Sequence, residues 1–454
     1  MFDGKLLENA KHIHFIGVGG SGMYPLVQIL HGKGYHISGS DNNETDTLSY
    51  ERKMGVEVFL GQRAENISGA DLIVYTAAIM DDNPELCAAK ASGIPTIERA
   101  ELLGYLTTQY QDCICVCGTH GKTTTTSMLT QILVGAGLDP TVVIGGKLPL
   151  IHGSGRVGKS EHMVCEACEF HDHFLQLAPD IAVILNVDAD HLDYFGTLEN
   201  VIRSFHQFAS MATKTIIYYG DDANTMKAVK GITGKKLISF GWSDQCDIFP
   251  ANIVHEGAQS SFDLHAFGKQ IGHFTIHVPG RHNILNAAAA IAASLEAGAS
   301  SEQIQEHLAQ FRGAGRRFEI LGTVRGITIA DDYAHHPAEL AVTLKAAKEL
   351  HFNKVWAVFQ PFTYTRTKLL MDDFAKALSL ADHVVMSEIM GSREKNTDGV
   401  YTSQLAEKIP GSIWFPGFEE ISDYVMSHAQ SGDLVITLGC GDVNKCANMM
   451  LKHE

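Results

Sequence analysis

The sequence predicts an α/β protein of three domains, each built around a mainly parallel sheet. The chain has 454 residues, and a domain commonly holds on the order of 150 residues. Short apolar runs alternate with helical patterns along the chain, as parallel βαβ units require. Two glycine-rich loops each stand between a predicted strand and a predicted helix, where α/β proteins bind phosphate-bearing ligands.

The composition is that of a globular protein with an acidic surface. Hydrophobic residues make up 45% and charged residues 19% of the chain, which excludes wholesale disorder. The formal net charge of −17 argues against nucleic acid and anionic membranes as partners. No apolar run reaches about 18 residues, and nine cysteines are too few for a disulfide scaffold in a chain this long. We therefore expect a cytoplasmic protein without membrane insertion, either monomer or homodimer.

The alternating pattern predicts domain boundaries near residues 107 and 315. The predicted strands of the first domain are 12–16, 35–38, 57–59 and 72–75. Those of the second are 113–117, 162–165, 181–185 and 215–219, followed by short alternating runs up to residue 278 and an Ala-rich helix at 283–297. Those of the third are 327–330, 355–359, 383–387 and 434–438. The polar stretch 107–112 is interpreted as a linker.

The strongest local motif lies between a predicted buried strand, 113–117, and a predicted helix, 124–134. It reads Gly118-Thr119-His120-Gly121-Lys122-Thr123-Thr124. Its glycines let backbone N–H groups close on phosphate oxygens, the Lys122 ammonium adds a point charge, and the Thr123 hydroxyl can bind Mg²⁺. Val116 stands where a Walker A loop has its first glycine, so an ordinary strand–helix turn remains the alternative.

A second glycine-rich loop directly follows the first predicted strand. It reads Gly17-Val18-Gly19-Gly20-Ser21-Gly22, and Asp41 stands at the end of the second strand. This arrangement matches a dinucleotide fingerprint with an acid for a ribose hydroxyl. It predicts a phosphate-bearing ligand at the N-terminus of the first helix, without identifying that ligand as NAD.

Acidic and histidine side chains follow two further predicted strands of the second domain. Glu166 follows strand 162–165, and a set of four follows strand 181–185: Asp188, Asp190, His191 and Asp193. Because parallel strands end at a common edge, these groups could hold Mg²⁺ near the phosphate loop. Such an ion neutralises charge that develops on a transferring phosphoryl group. A solvated acidic loop is the alternative.

Three more polar motifs lie towards the C-terminus. Asn283 and Asn286 open the Ala-rich helix and offer the paired donor and acceptor groups that suit an adenine edge, although Asn283 could equally be an N-cap. The segment Asp331–Pro337 places acids and two histidines after an apolar strand. The segment Gln360–Thr367 follows the next strand and contains Arg366, which could pair with a substrate carboxylate.

These motifs, in this order and over the whole chain, resemble those of the Mur ligases of peptidoglycan synthesis. The resemblance implies a three-domain α/β architecture. Residues 1–107 would form a Rossmann-like UDP-sugar-binding domain, 108–315 a P-loop-type central ATPase domain, and 316–454 a Rossmann-like amino-acid-binding domain. The glycine loop with Ser38–Asp41 is similar to that of members that act on UDP-N-acetylmuramate and L-alanine.

The reaction that the resemblance implies is ATP-dependent amide formation. ATP would phosphorylate the lactyl carboxylate, and the amine of L-alanine would attack the acyl phosphate to give the amide and phosphate. Phosphorylation turns a poor electrophile into a good one, and catalysis is then mostly positioning and charge neutralisation. A tripeptide-recycling member of the family is the nearest alternative. An NAD-dependent oxidoreductase leaves the loop at residues 118–124 unexplained, and a non-catalytic nucleotide switch leaves an amino-acid pocket unexplained.

The resemblance also implies roles residue by residue. The UDP-sugar contacts would be Gly17, Gly19, Gly20, Ser21, Gly22, Met23, Ser40 and Asp41. The ATP contacts would be Gly118, Thr119, His120, Gly121, Lys122, Thr123, Thr124, Asn283, Asn286, Arg317 and Asp332. The Mg²⁺ ligands would be Thr123, Glu166 and His191, and the amino-acid pocket Tyr333, His335 and Arg366. The catalytic set would be Lys122, Glu166, His191, His335 and Arg366, with His335 either accepting the proton of the amine or positioning the amino acid.

Two positions bear on the choice among members of the family. Many relatives carry His where this chain has Phe362, in the loop that approaches the amino acid. Sister ligases carry a modified lysine downstream of the metal-binding histidine, where this chain has Phe205 and His206. We therefore expect no carbamylated lysine.

Overall fold

The chain folds into three sheets, and the computed structural model describes residues 4–392 and 394–453, without the side chains of Asp46 and Asp193. The described residues form two compact units. One comprises those up to Asn252 with Phe262–Phe274 and Leu285–Phe311, and the other Ile253–Ser261, Thr275–Ile284 and those from Arg312 onward. Within the described ranges, no helix is long and apolar enough to cross a membrane.

The first sheet has five parallel strands in the order β3-β2-β1-β4-β5. The strands are β1 His12–Ile16, β2 His36–Asp41, β3 Glu57–Leu60, β4 Leu72–Tyr75 and β5 Thr96–Glu98. The helices are α1 Lys5–Asn9, α2 Tyr24–Gly32, α3 Asp46–Met54, α4 Pro84–Ser92 and α5 Arg99–Thr107. The strand order reverses beside β1, which opens a crevice at the carboxyl ends of β1 and β4.

The central sheet has ten strands in the order β15-β14-β13-β12-β11-β10-β6-β9-β7-β8. The strands are β6 Asp112–Cys117, β7 Thr141–Leu148, β8 Gly153–Arg156, β9 His162–Glu166, β10 Ile181–Ile184, β11 Thr215–Tyr219, β12 Lys236–Phe240, β13 Ile248–Glu256, β14 Gln259–Ala266 and β15 Lys269–Ile276. The helices are α6 Lys122–Gly135, α7 Leu192–Phe195, α8 Leu198–Met211, α9 Ala223–Val229, α10 His282–Glu296 and α11 Ser301–Leu308. Since β9 and β10 flank β6 in parallel, the loops that follow these three strands share one edge.

The C-terminal sheet has six strands in the order β16-β17-β21-β18-β19-β20, and its pairings are parallel except that of β16 with β17. The strands are β16 Glu319–Val324, β17 Ile327–Asp332, β18 Val355–Phe359, β19 His383–Ser387, β20 Ile413–Phe415 and β21 Leu434–Leu438. The helices are α12 Pro337–Glu349, α13 Tyr364–Leu369, α14 Met371–Leu378, α15 Thr402–Ala406, α16 Phe418–His428 and α17 Asn444–Met450. Buried clusters on both faces make this a doubly wound sheet.

The first two sheets share one hydrophobic core and are joined by polar contacts. Nε2 of His173 lies 3.1 Å from Oε1 of Glu98, and the amide of Ala178 donates to the Thr107 hydroxyl at 2.9 Å. A Cβ placed on Gly104 would lie 2.2 Å from the carbonyl oxygen of Gln176. Packing this close leaves room only for glycine.

The predicted strands are present, and the sheets contain six further strands that the sequence pattern did not predict: β5, β7, β8, β12, β16 and β20. The predicted linker reduces to residues 108–111, because α5 extends to Thr107 and β6 begins at Asp112. Glu166 ends β9 rather than following it. Cys113, Cys115 and Cys117 stand at alternate positions of β6 and face one buried core.

Candidate active site

The end of β2 holds the first glycine-rich loop in place through hydrogen bonds. The carbonyl oxygen of Ser40 accepts from the amides of Gly17 and Val18 at 2.8 and 2.9 Å. Oδ2 of Asp41 accepts from the amide of Gly19 at 3.1 Å. Gly17 has φ +85°, and a Cβ on it would lie 2.5 Å from Cγ2 of Thr76. The loop is thus a fixed turn at the N-terminus of α2, a position suited to a diphosphate.

Four predicted UDP-sugar contacts help to form this loop. Met23 and Ser40 are buried, and the Ser40 hydroxyl donates to Oε2 of Glu85 at 2.7 Å. The carbonyl oxygen of Ser21 accepts from the Ser154 hydroxyl at 3.4 Å. Asp41 uses its second oxygen on the amide of Asn43. Their contacts with a ligand remain predictions.

The second loop joins β6 to α6 and closes around the Lys122 ammonium. Nζ of Lys122 donates to the carbonyl oxygens of Gly118 and Thr119 at 2.6 and 3.2 Å, and to Oε1 of Glu169 at 2.9 Å. Burial lowers the pKa of Lys122, but Glu169, Cys168 and Glu166 together outweigh burial and raise the pKa overall. Lys122 therefore carries its positive charge at the mouth of the loop.

Asn186, two positions after the end of β10, braces the same loop. Its Oδ1 accepts from the amide of His120 at 2.8 Å, and its Nδ2 donates to the carbonyl oxygen of His120 at 3.0 Å. Next to it, the amide of Asp188 donates to the Thr119 hydroxyl at 2.9 Å. Neither Asn186 nor Glu169 was among the predicted site residues. Both are polar residues in loops at strand ends, which is the signal that could have found them.

Thr123 and Glu166, two predicted Mg²⁺ ligands, are in contact. The Thr123 hydroxyl donates to Oε1 of Glu166 at 3.0 Å, and Oε2 of Glu166 accepts from the amide of Gly145 at 2.7 Å. Hydroxyl and carboxylate oxygens are the donors that Mg²⁺ prefers, and this ion usually takes one or two protein ligands beside phosphate oxygens and water. The pair therefore fits an ion held jointly with a nucleotide.

His191 lies in the loop after β10, on the other side of β6 from Glu166. Its ring centroid is 4.8 Å from that of Phe170, and its Nε2 is 3.8 Å from Oδ2 of Asp190. The described residues contain no cluster of three or more His, Cys, Asp or Glu that could hold a metal by themselves. The role of His191 at a further Mg²⁺ ion stays a prediction. The side chain of Asp193 lies outside the part of the chain that the structure describes.

The two predicted adenine contacts lie in the first turns of α10. Asn286 adjoins the phosphate loop, because a Cβ on Gly121, which has φ +86°, would lie 2.6 Å from Oδ1 of Asn286. Nδ2 of Asn283 donates to the carbonyl oxygen of Pro279 at 2.7 Å. Both asparagines are buried. The structure brings Asn286 to the loop, and the adenine contact of each remains a prediction.

Two consecutive arginines of the C-terminal sheet are held differently. Arg316 donates to Oδ2 of Asp331 at 2.8 Å and to the carbonyl oxygens of Gly439 and Gly441 at 2.6 and 3.1 Å. It therefore fastens β17 to the loop after β21. The Arg317 guanidinium lies 4.8 Å from the ring centroid of Tyr333. The Arg316 guanidinium lies over the same ring, at 5.0 Å. Its hydrogen bonds to Asp331, Gly439 and Gly441 therefore mark Arg316 as structural, and its place beside Tyr333 does not separate it from Arg317, the predicted phosphate contact.

The predicted amino-acid pocket forms around the end of β17. Nδ1 of His335 is 3.0 Å from the carbonyl oxygen of Tyr333. Burial lowers the pKa of His335, Glu339 partly offsets this, and the positive charge of Arg366 lowers it further. Asp332 accepts from two backbone amides, and burial raises its pKa to about 6 against the charge of Arg317. These groups thus adjoin one another in the fold.

The chain matches three family models over most of its length. Residues 12–111 match the Mur ligase family catalytic domain, 116–294 the Mur ligase middle domain, and 316–441 the glutamate ligase domain of Mur ligases.

Named relatives cover the whole chain. The UDP-N-acetylmuramate–L-alanine ligase of Caldanaerobacter subterraneus subsp. tengcongensis is 44% identical over 455 residues, covering 99% of each chain. Among solved structures, the UDP-N-acetylmuramate–alanine ligase MurC of Thermotoga maritima is 28% identical, with a TM-score of 0.85 and coverage of 98% of this chain and 99% of the other. A murein peptide ligase of Psychrobacter arcticus is 25% identical, with a TM-score of 0.77 and coverage of 97% and 98%.

Proposed function

The chain belongs to the Mur ligase family, and on that basis we propose that it joins L-alanine to the lactyl carboxylate of UDP-N-acetylmuramate, with ATP converted to ADP and phosphate. The observation that carries the proposal is full-length similarity to a ligase of that activity. The phosphate loop supports it, because Lys122 and the Thr123–Glu166 pair lie at one strand edge. The expected setting is the cytoplasm, as a monomer or homodimer.

Two loops divide the work of binding. The turn at Gly17–Gly22 takes the UDP diphosphate on backbone amides, and the loop at Gly118–Thr124 takes the phosphates of ATP, with Lys122 on the β and γ oxygens. Thr123 and Glu166 would hold Mg²⁺, with His191 at a further ion, and the metal would supply neutralisation of the phosphate charge. Local amides and one lysine thus bind anions on a protein of net charge −17.

His335 is our candidate to accept the proton of the attacking amine, the alternative being that it only positions the amino acid. A carbonyl oxygen only accepts, so the contact with Tyr333 puts the proton of His335 on Nδ1 and leaves Nε2 as an acceptor. The lowered pKa of His335 keeps the ring neutral at physiological pH. Arg366, whose charge is felt at His335, binds the carboxylate of the amino acid. Arg317 binds phosphate and Asp332 the ribose of ATP.

An assay of ADP release tests this function. Release requires UDP-N-acetylmuramate and L-alanine together, and omission of either substrate leaves only background. Folded protein that releases no ADP with both substrates present would refute the proposal.

A second candidate is ligation of a whole tripeptide to the same sugar nucleotide. It is favoured by the similarity of fold to the murein peptide ligase of Psychrobacter arcticus. Competition between L-alanine and the tripeptide in one reaction distinguishes the two, and we expect the L-alanine product to dominate. The oxidoreductase interpretation falls away, since the family consists of ligases.

A further inference from the structure

All three N–H donors of the Lys122 ammonium point at protein acceptors. Two are the carbonyl oxygens of Gly118 and Thr119, and the third is the Glu169 carboxylate, whose two oxygens each lie 2.9 Å from Nζ. An ammonium group has three donors and no more. A phosphate oxygen that binds Lys122 must therefore replace one of these acceptors or share a donor with it.

Glu169 is the acceptor that a phosphate displaces most readily. The carbonyl oxygens belong to the loop that encloses the ligand, whereas Glu169 comes from the neighbouring segment after β9. Glu169 is buried, with 2% of its surface exposed. A second anion on the same buried ammonium would repel its carboxylate, because charge repulsion is strong where water is excluded.

The end of β9 and the segment that follows it thus engage two consecutive residues of the phosphate loop. Glu166 accepts from the Thr123 hydroxyl, and Glu169, three positions later, accepts from the Lys122 ammonium. Only the contact of Glu169 neutralises the positive charge of Lys122, which is the charge that attracts a phosphate.

We propose that Glu169 competes with the phosphates of the nucleotide for the Lys122 ammonium and gives way to them. The inference rests on the proposed nucleotide site. It places an internal anion in competition with the ligand, so that part of the attraction between Lys122 and phosphate is offset by loss of the Glu169 contact. Such competition acts on phosphates and not on the nucleoside.

The test compares ADP with adenosine, using the full chain and isothermal titration calorimetry. In Glu169→Gln the side chain keeps its shape and loses its charge, and we expect the Kd for ADP to fall about tenfold. The Kd for adenosine should stay unchanged. Glu199→Gln, which removes an exposed carboxylate from α8, is the control for net charge and should leave both constants unchanged.

A conservative variant extends the test. The shorter side chain of Glu169→Asp keeps its charge but cannot reach Nζ without movement, so its Kd for ADP should lie between those of wild type and Glu169→Gln. In turnover, the KM for ATP should fall in the same order, while the KM for UDP-N-acetylmuramate stays constant.

Unchanged or weaker ADP binding in both variants would overturn the inference, as would equal gains for ADP and adenosine. If Glu169→Gln does not fold, Glu169→Asp decides by the same criterion. Failure of wild type to bind ADP would refute the nucleotide site itself, which is a separate result.

Discussion

The hydroxyl of Thr123 donates a 3.0 Å hydrogen bond to Oε1 of Glu166, which links the start of α6 to the end of β9. The two residues are far apart in sequence and meet because β6 and β9 pair in parallel, with Val116 opposite Glu166. The phosphate loop and the carboxylate proposed to bind Mg²⁺ are thus preassembled, a condition for electrostatic catalysis.

Removal of the Thr123 hydroxyl should impair turnover far more than folding. Thr123→Val keeps the volume but loses one oxygen donor for Mg²⁺, and we expect kcat to fall about 10- to 100-fold. The Mg²⁺ concentration for half-maximal rate should rise. Thr123→Ser keeps the hydroxyl and is the matched control. Equal activity of the two variants would contradict the assignment.

Lys122→Ala should abolish ATP-dependent turnover and leave binding of the sugar nucleotide nearly intact. The reason is that Lys122 lies in the loop after β6, whereas the diphosphate is assigned to the loop after β1. An assay of phosphate release measures turnover, and calorimetry measures binding of UDP-N-acetylmuramate. The two expectations are thus checked separately. Simultaneous loss of both would mean that the sites are divided wrongly between the loops.

Substitution of Arg316 should lower the stability of the protein, whereas substitution of Arg317 should change its kinetics with ATP. Arg316→Lys loses the fork that joins Asp331 to Gly439 and Gly441, and we expect a loss of about 2–3 kcal/mol in unfolding free energy. Arg317→Lys should raise the KM for ATP with little change in Tm. Denaturant unfolding and steady-state kinetics on both variants measure this. If Arg316→Lys raised the KM for ATP and Arg317→Lys lowered the stability, the two assigned roles would have to be exchanged.

Gly121→Ala and Gly137→Ala form a matched pair of glycine substitutions. Both residues have positive φ, +86° and +78°, but the new Cβ meets Asn286 at 2.6 Å in the first case and nothing within 4 Å in the second. Each variant should lose roughly 1–2 kcal/mol from its backbone conformation. Only Gly121→Ala should also raise the KM for ATP. A normal KM in Gly121→Ala would show that the contact with Asn286 is unimportant for the nucleotide.

Glu51 should make stability depend on pH. It is fully buried in α3, neither carboxylate oxygen has a hydrogen-bond partner within the described residues, and burial together with the charge of Asp41 raises its pKa to about 8. The unfolded pKa is about 4.3. The folded state therefore holds a proton that the unfolded state releases, and stability falls as pH rises from about 4.3 to about 8.

Glu51→Gln removes this dependence, so its Tm relative to wild type should rise between pH 5 and pH 9. The free-energy difference is a few kcal/mol at most, since one unit of pKa corresponds to about 1.4 kcal/mol. Glu65→Gln, which changes an exposed carboxylate of the same domain, should show no such trend. A constant difference across this pH range in Glu51→Gln would refute the assignment.

Strands were predicted correctly from the sequence where burial requires an uninterrupted run of apolar residues. The strands Leu72–Tyr75, Val355–Phe359 and Leu434–Leu438 have the predicted bounds, because both faces of a parallel strand are covered. The sequence pattern missed six strands: β5, β7, β8, β12, β16 and β20. Of these, β5 and β20 have three residues each and give no readable period.

The site was predictable where a motif is local and less so where it depends on neighbouring strands. The loop at Gly118–Thr124 can be read from its own residues. The contacts of Glu169 and Asn186 depend on β9 and β10 flanking β6, an order that hydrophobic periodicity does not encode. The paired arginines look alike in sequence, and only their partners distinguish them.

The shared core of the first two sheets fixes the distance between the two glycine-rich loops, and this distance selects the length of the sugar nucleotide. The loop for the diphosphate and the loop for ATP belong to one compact unit, tied by Glu98 with His173 and by the glycine contact at Gly104. On the proposed function, the span from diphosphate to reacting carboxylate is then set by the protein. An analogue that lengthens the lactyl arm by one carbon would carry its carboxylate past the γ-phosphate, so selection by reach would accompany selection by chemical group.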